Sequence, residues 1–340
     1  MIRLFREEST GSPGFPPATA LKRRQLGRTG LMISEIGFGS WPVSGSWGGR
    51  DDAAGLAALR RAFDGGVNFV DTALIYGSGH SERLIRKALH GRHHDVFIAT
   101  KIPPRNRQWP ARAGIPLSAV FPLEYVKQCI EKSLRNLGRD ALDLQQFHVW
   151  NPEWAGDPEW HRTIEWLKTS GKVRFVGISA NDHMPGSVLT ALHTGLVDCV
   201  QVIYNIFDQS PADELFAVCE SLNIGVIARV PFDEGGLTGT ITPETRFRWN
   251  DFRKRYFAGG RRGALWERIL ALKADLGGDE PLASIALRFC LSHTAVSTVI
   301  PGSRNARHVE QNLRASEAGA LSESTMAILS RHRWTRNFYD

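Results

Sequence analysis

The 340-residue sequence lacks several features that mark other classes of protein. No window approaches the roughly 20 consecutive apolar residues of a membrane span, and the first residues do not resemble a secretory signal, so we expect a cytoplasmic protein without a membrane partner. Its four cysteines are far apart and lie in apolar segments, which predicts buried free thiols. The 42 Lys and Arg, against 35 Asp and Glu, fall in short scattered runs, which argues against a nucleic-acid partner.

The chain divides into a tail and one predicted domain. Residues 1–20 are rich in Gly, Pro, Ser and Thr and carry no hydrophobic period, so we predict a flexible tail there and a single domain over 21–340. In that domain, short apolar segments alternate with amphipathic ones. The predicted strands are 34–39, 67–71, 96–101, 142–148, 173–179, 199–203, 224–229 and 296–300, and the predicted helices include 53–64, 81–89, 123–137 and 159–169.

Alternating strands and helices predict parallel pairing, in either an open doubly wound sheet or a closed barrel. A dinucleotide-binding open sheet needs a G-x-G-x-x-G turn after its first strand, and none of the glycine clusters has that spacing. We therefore predict an α/β fold, the (β/α)8 TIM barrel. An N-terminal hairpin over 22–33 would plug one mouth, and long functional loops would occupy 103–122 and 232–263 at the C-terminal mouth.

Three successive predicted strands end in ionisable residues, namely Asp71, Lys101 and His148, and Tyr76 follows Asp71 on the same loop. Because the carboxyl ends of barrel strands meet at one mouth, we expect these side chains to converge. An ammonium favours a nearby phenolate, so Lys101, paired with Asp71, would lower the pKa of Tyr76 and make it a proton donor, while His148 orients a substrate oxygen. Since no side chain donates hydride, carbonyl reduction at this site implies a nicotinamide cofactor.

Ordered motifs from about Gln25 to Leu313 extend this interpretation. They include Leu-Gly-Arg-Thr-Gly-Leu at 26–31, Gly-Val-Asn-Phe-Val-Asp-Thr-Ala at 66–73, Ala-Thr-Lys at 99–101, Ser-Leu-Arg-Asn-Leu-Gly at 133–138, Gly-Ile-Ser at 177–179, Gly-Leu-Thr-Gly at 236–239 and Ile-Pro-Gly at 300–302. In these motifs the chain resembles the aldo-keto reductase superfamily, in particular its bacterial-type NADP-dependent oxidoreductases. The resemblance implies a (β/α)8 barrel that uses NADPH/NADP, with NADH possible, and a catalytic tetrad of Asp71, Tyr76, Lys101 and His148.

The resemblance also implies a cofactor path along the barrel mouth. The nicotinamide amide would be held by Ser179, Asn181 and Gln201, with Ala180 where the family usually has asparagine. Arg229 replaces a stacking aromatic residue, and its guanidinium would stack or contact phosphate. The expected cofactor residues are Gly39, Ser40, Trp41, Asp71, Ser179, Asn181, Gln201, Arg229, Pro231, Leu237, Gly239, Pro301, Gly302, Ser303, Arg304, His308, Gln311 and Asn312, with Arg304 facing the 2′-phosphate at a helix start.

Most of the ten Trp residues fall in predicted mouth loops, which favours a partly apolar substrate pocket. The expected pocket residues are Trp41, Trp47, Tyr76, Trp109, His148, Trp150 and Phe207, with Trp249 as a further candidate. Trp160 and Trp166 lie at helical spacing and are assigned to the core. No metal site is predicted, and the pair His93-His94 is interpreted as a solvated turn.

The sequence thus predicts an NADPH-dependent oxidoreductase that reversibly reduces aldehydes, ketones or sugars, with Tyr76 as general acid and base. Its predicted partner is this small-molecule substrate. An alternative is a cofactor-sensing regulatory subunit resembling the β subunits of voltage-gated potassium channels, which keep the tetrad but act through a partner. A Schiff-base aldolase built on Lys101 is disfavoured, because Asp71 would raise the lysine pKa. The sequence predicts neither the oligomeric state nor the specific substrate.

Overall fold

The computed structural model describes residues 21–91 and 96–339, so the predicted tail at 1–20 and the pair His93-His94 lie outside the described residues. The strands are β1 (Arg23–Gln25), β2 (Met32–Ser34), β3 (Phe38–Gly39), β4 (Phe69–Asp71), β5 (Phe97–Ile102), β6 (Leu142–Phe147), β7 (Val173–Ser179), β8 (Cys199–Ile203), β9 (Gly225–Arg229) and β10 (Val296–Val299). The α-helices are α1 (Asp52–Asp64), α2 (His80–Ala88), α3 (Leu117–Val120), α4 (Leu123–Leu137), α5 (Pro158–Thr169), α6 (Leu189–Leu192), α7 (Leu215–Ser221), α8 (Phe252–Tyr256), α9 (Arg261–Leu276), α10 (Leu282–Leu291), α11 (Ala306–Glu317) and α12 (Glu323–Ser330). Short 3-10 helices cover Gly27–Thr29, Trp41–Ser44, Pro152–Gly156, Pro185–Val188, Ser210–Ala212 and Asp233–Thr238.

Strands β1 and β2 form an antiparallel hairpin at the amino-terminal end of the barrel. Leu26, Leu31 and Ile33 of the hairpin are buried against inward-facing residues of the barrel strands. Gly27 has a φ of +49°, and a Cβ there would lie 2.2 Å from the backbone nitrogen of Gly225, at the start of β9. The hairpin approaches the strand so closely that only glycine fits. The predicted hairpin and its role as a plug are therefore confirmed.

Strands β3 to β10 form one parallel sheet in sequential order. The sheet closes through parallel bridges that join Ile36 to Val299 and Gly39 to Gly302. This is the predicted (β/α)8 barrel, and each predicted strand segment contains one barrel strand. The first is much shorter than predicted: Ser34 pairs with Arg23 in the hairpin, Ile36 forms only an isolated bridge to Val299, and β3 covers two residues.

Helix α4 shows how the sequence determines its helices. Pro122 precedes the helix, where a missing N–H costs nothing, and Gly138 ends it with a left-handed φ of +64°. Buried residues recur every three or four positions, at Val126, Ile130, Leu134 and Leu137, so one face packs on the sheet. The helices predicted at 53–64, 81–89, 123–137 and 159–169 agree with α1, α2, α4 and α5 to within one residue.

The hydrophobic core fills the layer between the sheet and the helices. All four cysteines are buried and free, as predicted. The two long loops follow β5 and β9 and contain short helical pieces, α3 in the first and Asp233–Thr238 with α8 in the second. Within the described residues, no helix is both long and apolar enough to cross a membrane.

Candidate active site

A buried ion pair forms the floor of the carboxyl-terminal mouth. Asp71 ends β4, and the parallel register pairs it with Ala99 of β5. Lys101 lies two positions further along β5, so its side chain has the same direction as that of Ala99 and reaches the carboxylate. Lys101 Nζ lies 2.7 and 2.6 Å from the two carboxylate oxygens of Asp71 and 2.8 Å from the carbonyl oxygen of Thr72. Three acceptors match the three N–H bonds of an ammonium, so Lys101 is held as a fixed cation. A lysine held in this way has no free lone pair, which argues against a Schiff-base role.

The pKa of Lys101 and the hydrogen-bond partner of Gln201 both differ from the sequence-based predictions. Burial lowers the pKa of Lys101, although the Asp71 carboxylate opposes that shift, because removing an ammonium from water costs more than its ion pair returns. Gln146 and Gln201 also donate to Asp71 Oδ1, at 3.3 and 2.7 Å. Gln201, expected beside the nicotinamide amide, here bonds the carboxylate of Asp71.

Tyr76 stands above the ion pair, half-buried in the mouth. Lys101 Nζ lies 5.3 Å from the centroid of the Tyr76 ring, and the ring stacks on Trp41 at 6.3 Å. Desolvation, followed by the negative charge of Asp71, raises the pKa of Tyr76 above its ordinary value. The predicted lowering of the Tyr76 pKa by Lys101 is therefore wrong for this structure, because burial disfavours the phenolate and Asp71 balances the charge of the ammonium.

His148, which follows β6, completes the group. Its ring contacts Tyr76 at 6.0 Å and Trp109 at 5.8 Å between centroids. Burial, with the positive charges of Lys101 and Arg229, holds the pKa of His148 well below its usual value, so the imidazole is neutral at pH 7. The structure thus brings the four predicted tetrad residues together at one mouth.

A cavity of about 1570 Å³ opens from this group. It exceeds the range of about 300–1,000 Å³ typical of pockets for a single drug-sized ligand, which suits an extended cofactor plus a substrate. The predicted site residues that line it are Gly39, Trp41, Trp47, Asp71, Tyr76, Trp109, His148, Ser179, Asn181, Gln201, Arg229, Pro231, Gly302, Arg304, His308, Gln311 and Asn312.

Two predicted pocket residues belong to the core instead. Trp150 and Phe207 are fully buried and lie outside the cavity lining. Trp150 packs on Trp160 with ring centroids 4.6 Å apart, and Phe207 packs on Trp334 at 5.6 Å. Their rings turn away from the mouth because large apolar neighbours are available beneath the loops. Trp249 is 85% exposed and likewise lies outside the lining.

Several predicted cofactor residues also lie behind the cavity surface. Ser40 accepts a hydrogen bond from Ser81 at 2.7 Å, and Ser303 accepts one from Asn312 at 2.9 Å, so both hydroxyls bond protein side chains. The remaining residues outside the lining are Leu237, Gly239 and Pro301, together with Lys101, which lies beneath Tyr76. Their motifs shape the backbone of the mouth rather than its surface.

Basic groups collect at one end of the cavity. Arg304 Nη1 donates to the carbonyl oxygen of Trp47 at 2.6 Å, and desolvation with the charge of Arg253 lowers the pKa of Arg304. Helix α11 begins beside it, capped by Asn305, whose side chain accepts from the His308 amide at 2.9 Å. A helix start combined with guanidinium groups fits the phosphates of a dinucleotide.

Two loops meet across the mouth in a contact that the sequence analysis missed. Trp47 forms a bridge with Asp251, the Phe252 amide donates to the Ser46 carbonyl oxygen at 3.0 Å, and the Arg253 guanidinium lies 4.6 Å from the Trp47 ring centroid. This contact joins residues 45–50 to residues 248–253. The aromatic and basic residues of 232–263 were the feature of the sequence that could have indicated this contact.

The last residues of the described chain form a second missed element. Tyr339 lines the cavity and donates a hydrogen bond to Glu234, which also lines it. Arg336 forms a buried ion pair with Asp233 and lies 4.3 Å from the Trp334 ring centroid. The density of aromatic and basic residues over 333–339 is the feature of the sequence that could have indicated this packing. No group of three or more potential metal ligands occurs in the part of the chain that the structure describes.

Comparisons with known proteins agree with this geometry. The profile of the Aldo/keto reductase family matches residues 35–333. The chain is 28% identical to the uncharacterized oxidoreductase YqkF of Bacillus subtilis, over 92% of this chain and 96% of that protein, and 28% identical to L-galactose dehydrogenase of Arabidopsis thaliana, over 87% and 88%. Among solved structures, the holo form of an aldo-keto reductase from Bacillus halodurans matches with a TM-score of 0.73 and 28% identity, covering 92% of this chain and 96% of that one. A glycerol dehydrogenase from Gluconobacter oxydans matches with the same TM-score and coverages at 25% identity.

Proposed function

Because the chain belongs to the aldo/keto reductase family and is an oxidoreductase that uses a nicotinamide cofactor, we propose that it reduces a carbonyl group of a small molecule with NADPH, reversibly, and that Tyr76 supplies the proton. The observation that carries the proposal is the position of Tyr76, above the Lys101–Asp71 pair and beside His148. A proton donor and a neutral hydrogen-bonding imidazole together suit a carbonyl oxygen that becomes an alkoxide.

When bound, the nicotinamide supplies the hydride. The residues that would hold the cofactor are Ser179 and Arg229 near the tetrad and Arg304 and His308 at the basic end of the cavity. A 2′-phosphate adds negative charge, and Arg304 with the start of α11 provides partners for it. This charge match favours NADPH over NADH.

Each tetrad residue has a distinct task in this proposal. The raised pKa keeps the Tyr76 phenol protonated at neutral pH, so it releases its proton only to a strong base such as a developing alkoxide. Lys101 then stabilises the phenolate from beneath the ring, and Asp71 fixes the position of that ammonium. The neutral imidazole of His148 orients the substrate oxygen by a single N–H donor.

The decisive experiment replaces the phenol oxygen alone. In Tyr76→Phe, kcat for carbonyl reduction should fall by about 10²-fold to 10⁴-fold, the range of general acid catalysis, while the Kd for NADPH stays within a factor of two. A variant with near-normal turnover would refute the proposed role of Tyr76. Since two relatives are named for L-galactose and glycerol, sugars and polyols should be assayed beside simple aldehydes.

A further inference from the structure

This inference rests on the proposed function and concerns Arg229, the last residue of β9. Arg229 Nη2 donates to the carbonyl oxygen of Ala180 at 3.1 Å and to Asp182 Oδ1 at 2.7 Å. These bonds direct the guanidinium toward the loop after β7, next to Tyr76 and His148, whose pKa values its charge lowers. The basic end of the cavity, where phosphates fit, lies elsewhere.

One buried donor of this guanidinium is unused. Arg229 Nε is buried and has no hydrogen-bond partner among the described residues. A buried N–H without an acceptor costs free energy, and here the two Nη2 bonds hold it in a fixed direction. A strong, oriented donor beside the tetrad indicates that a ligand atom accepts from it.

The neighbouring amides are already engaged by the protein. Gln201 Nε2 donates to Asp71, while Asn181 Oδ1 accepts from the Trp150 amide at 3.3 Å and its Nδ2 donates to the Trp150 carbonyl oxygen at 2.7 Å. These two side chains were expected to hold the nicotinamide amide together with Ser179. Arg229 bonds Ala180 and Asp182, the two residues that flank Asn181, so its guanidinium lies in the same part of the mouth. There Arg229 Nε is a buried donor that no described residue engages, beside the hydroxyl of Ser179, which also lines the cavity.

The charge of Arg229 restricts what it binds. Asp182 already pairs with the guanidinium. Burial alone would lower the pKa of Arg229, but the charged and polar groups around it, Asp182 foremost, together outweigh this effect and the pKa is raised, so Arg229 stays charged. A carboxylate or phosphate ligand would compete with Asp182, whereas a neutral carbonyl oxygen needs only the free Nε–H. The local chemistry therefore favours an amide carbonyl.

We propose that the Nε–H of Arg229 donates a hydrogen bond to the carboxamide carbonyl oxygen of the nicotinamide, and that Asp182 is a positioning residue that sets the plane of the guanidinium. Such a bond would fix the orientation of the carboxamide in the mouth. Losing a hydrogen bond from a charged donor corresponds to a loss of affinity of about 10-fold to 100-fold.

The test measures binding, by tryptophan fluorescence quenching or calorimetry, for three ligands. NADP⁺ contains the carboxamide oxygen, its thionicotinamide analogue carries the weaker acceptor sulfur instead, and 2′,5′-ADP lacks the nicotinamide. The wild-type protein should bind NADP⁺ about tenfold more tightly than the thio analogue. In Arg229→Met the two affinities should become equal, while the Kd for 2′,5′-ADP stays unchanged.

Two further variants guard against misfolding and against a pure charge effect. Arg229→Lys keeps the charge but has no Nε–H at that position, so it should lose the preference as Arg229→Met does. The double variant D182N/R229M avoids an unpaired carboxylate, and its melting temperature tests whether the fold is intact.

Three results would overturn the inference. The first is that R229M still binds NADP⁺ tenfold more tightly than the thio analogue. The second is that R229M loses affinity for 2′,5′-ADP as much as for NADP⁺. The third is that R229M binds NADP⁺ as the wild type does but has a raised KM for the carbonyl substrate, which would assign Nε to the substrate. A wild-type protein that binds none of the three ligands would instead refute the proposed function.

Discussion

Tyr339 donates a hydrogen bond to Glu234 and thereby joins the end of the described chain to the turn after β9. That turn is strained, since Val230, Asp233 and Glu234 all have a positive φ between 50° and 55°. Non-glycine residues adopt this conformation at a cost, and such strain is typical of functional sites. Glu234 is therefore both conformationally restrained and buried, and it lines the cavity.

The first prediction concerns the pH dependence of stability. Burial raises the pKa of Glu234 from 4.5 to about 7 in the folded protein. A raised folded-state pKa means that the native state binds more protons than the unfolded state between these values, so stability falls as pH rises from about 4.5 to 7. Glu234→Gln should remove that component, of about 3 kcal/mol, and flatten the profile.

Urea unfolding at pH 5 and pH 8 measures this effect. Glu267→Gln, which changes an exposed glutamate on α9, is the matched control and should leave the wild-type profile intact. If E234Q and wild type lose the same stability between the two pH values, Glu234 does not titrate as described.

A second prediction concerns the buried pair of Asp71 and Lys101. Removing one partner leaves an uncompensated charge, so Lys101→Met should destabilise the protein by about 3–5 kcal/mol. The double variant D71N/K101M leaves no lone charge and should be more stable than K101M. Chemical denaturation of the wild type, both single variants and the double variant gives the coupling energy. Additive single effects would show that the two residues do not interact.

The third prediction separates two arginines near the start of α11. Arg304 lines the cavity, whereas Arg307 lies one turn further on and outside the lining. Arg304→Ala should weaken NADPH binding by about 10-fold to 100-fold and NADH binding much less, because the 2′-phosphate loses a charged partner. Arg307→Ala removes a like charge from the first turn of α11 and should change neither Kd appreciably. Equal losses for both cofactors in R304A would contradict the phosphate role.

The fourth prediction contrasts two tryptophans that each follow a barrel strand. Trp150→Ala should cost about 3–5 kcal/mol of unfolding free energy, because it empties a fully buried site. Trp109→Ala, at a position 40% exposed in the mouth, should cost about 1 kcal/mol or less but raise KM for the substrate. Thermal unfolding and steady-state kinetics of both variants decide the matter, and a reversed pattern would place Trp150 in the pocket.

The barrel itself was predictable from sequence because each strand is a short apolar segment separated from the next by an amphipathic helix. Parallel register then places the ends of β4 and β5 side by side, so strand assignment alone predicted that Asp71 and Lys101 lie at the same mouth. The tetrad positions needed no knowledge of side-chain packing.

The remaining features depend on packing that local sequence does not encode. Arg336 and Asp233 are far apart in the chain, and only the folded barrel makes them an ion pair. The orientation of Trp150 depends on neighbours in α5. The pKa direction of Tyr76 was mistaken because the sequence shows which charges are near in the chain but not how much water is removed.

The hairpin at the amino-terminal end has a practical consequence for engineering. Leu21 lies beside Gly66, just ahead of β4, on the side of the barrel away from the cavity, while Tyr339 lies in the mouth itself. A fusion partner joined directly to Leu21 would therefore begin on the side of the barrel away from the cavity. A tag attached behind Tyr339 would crowd the entrance and disturb the bond to Glu234.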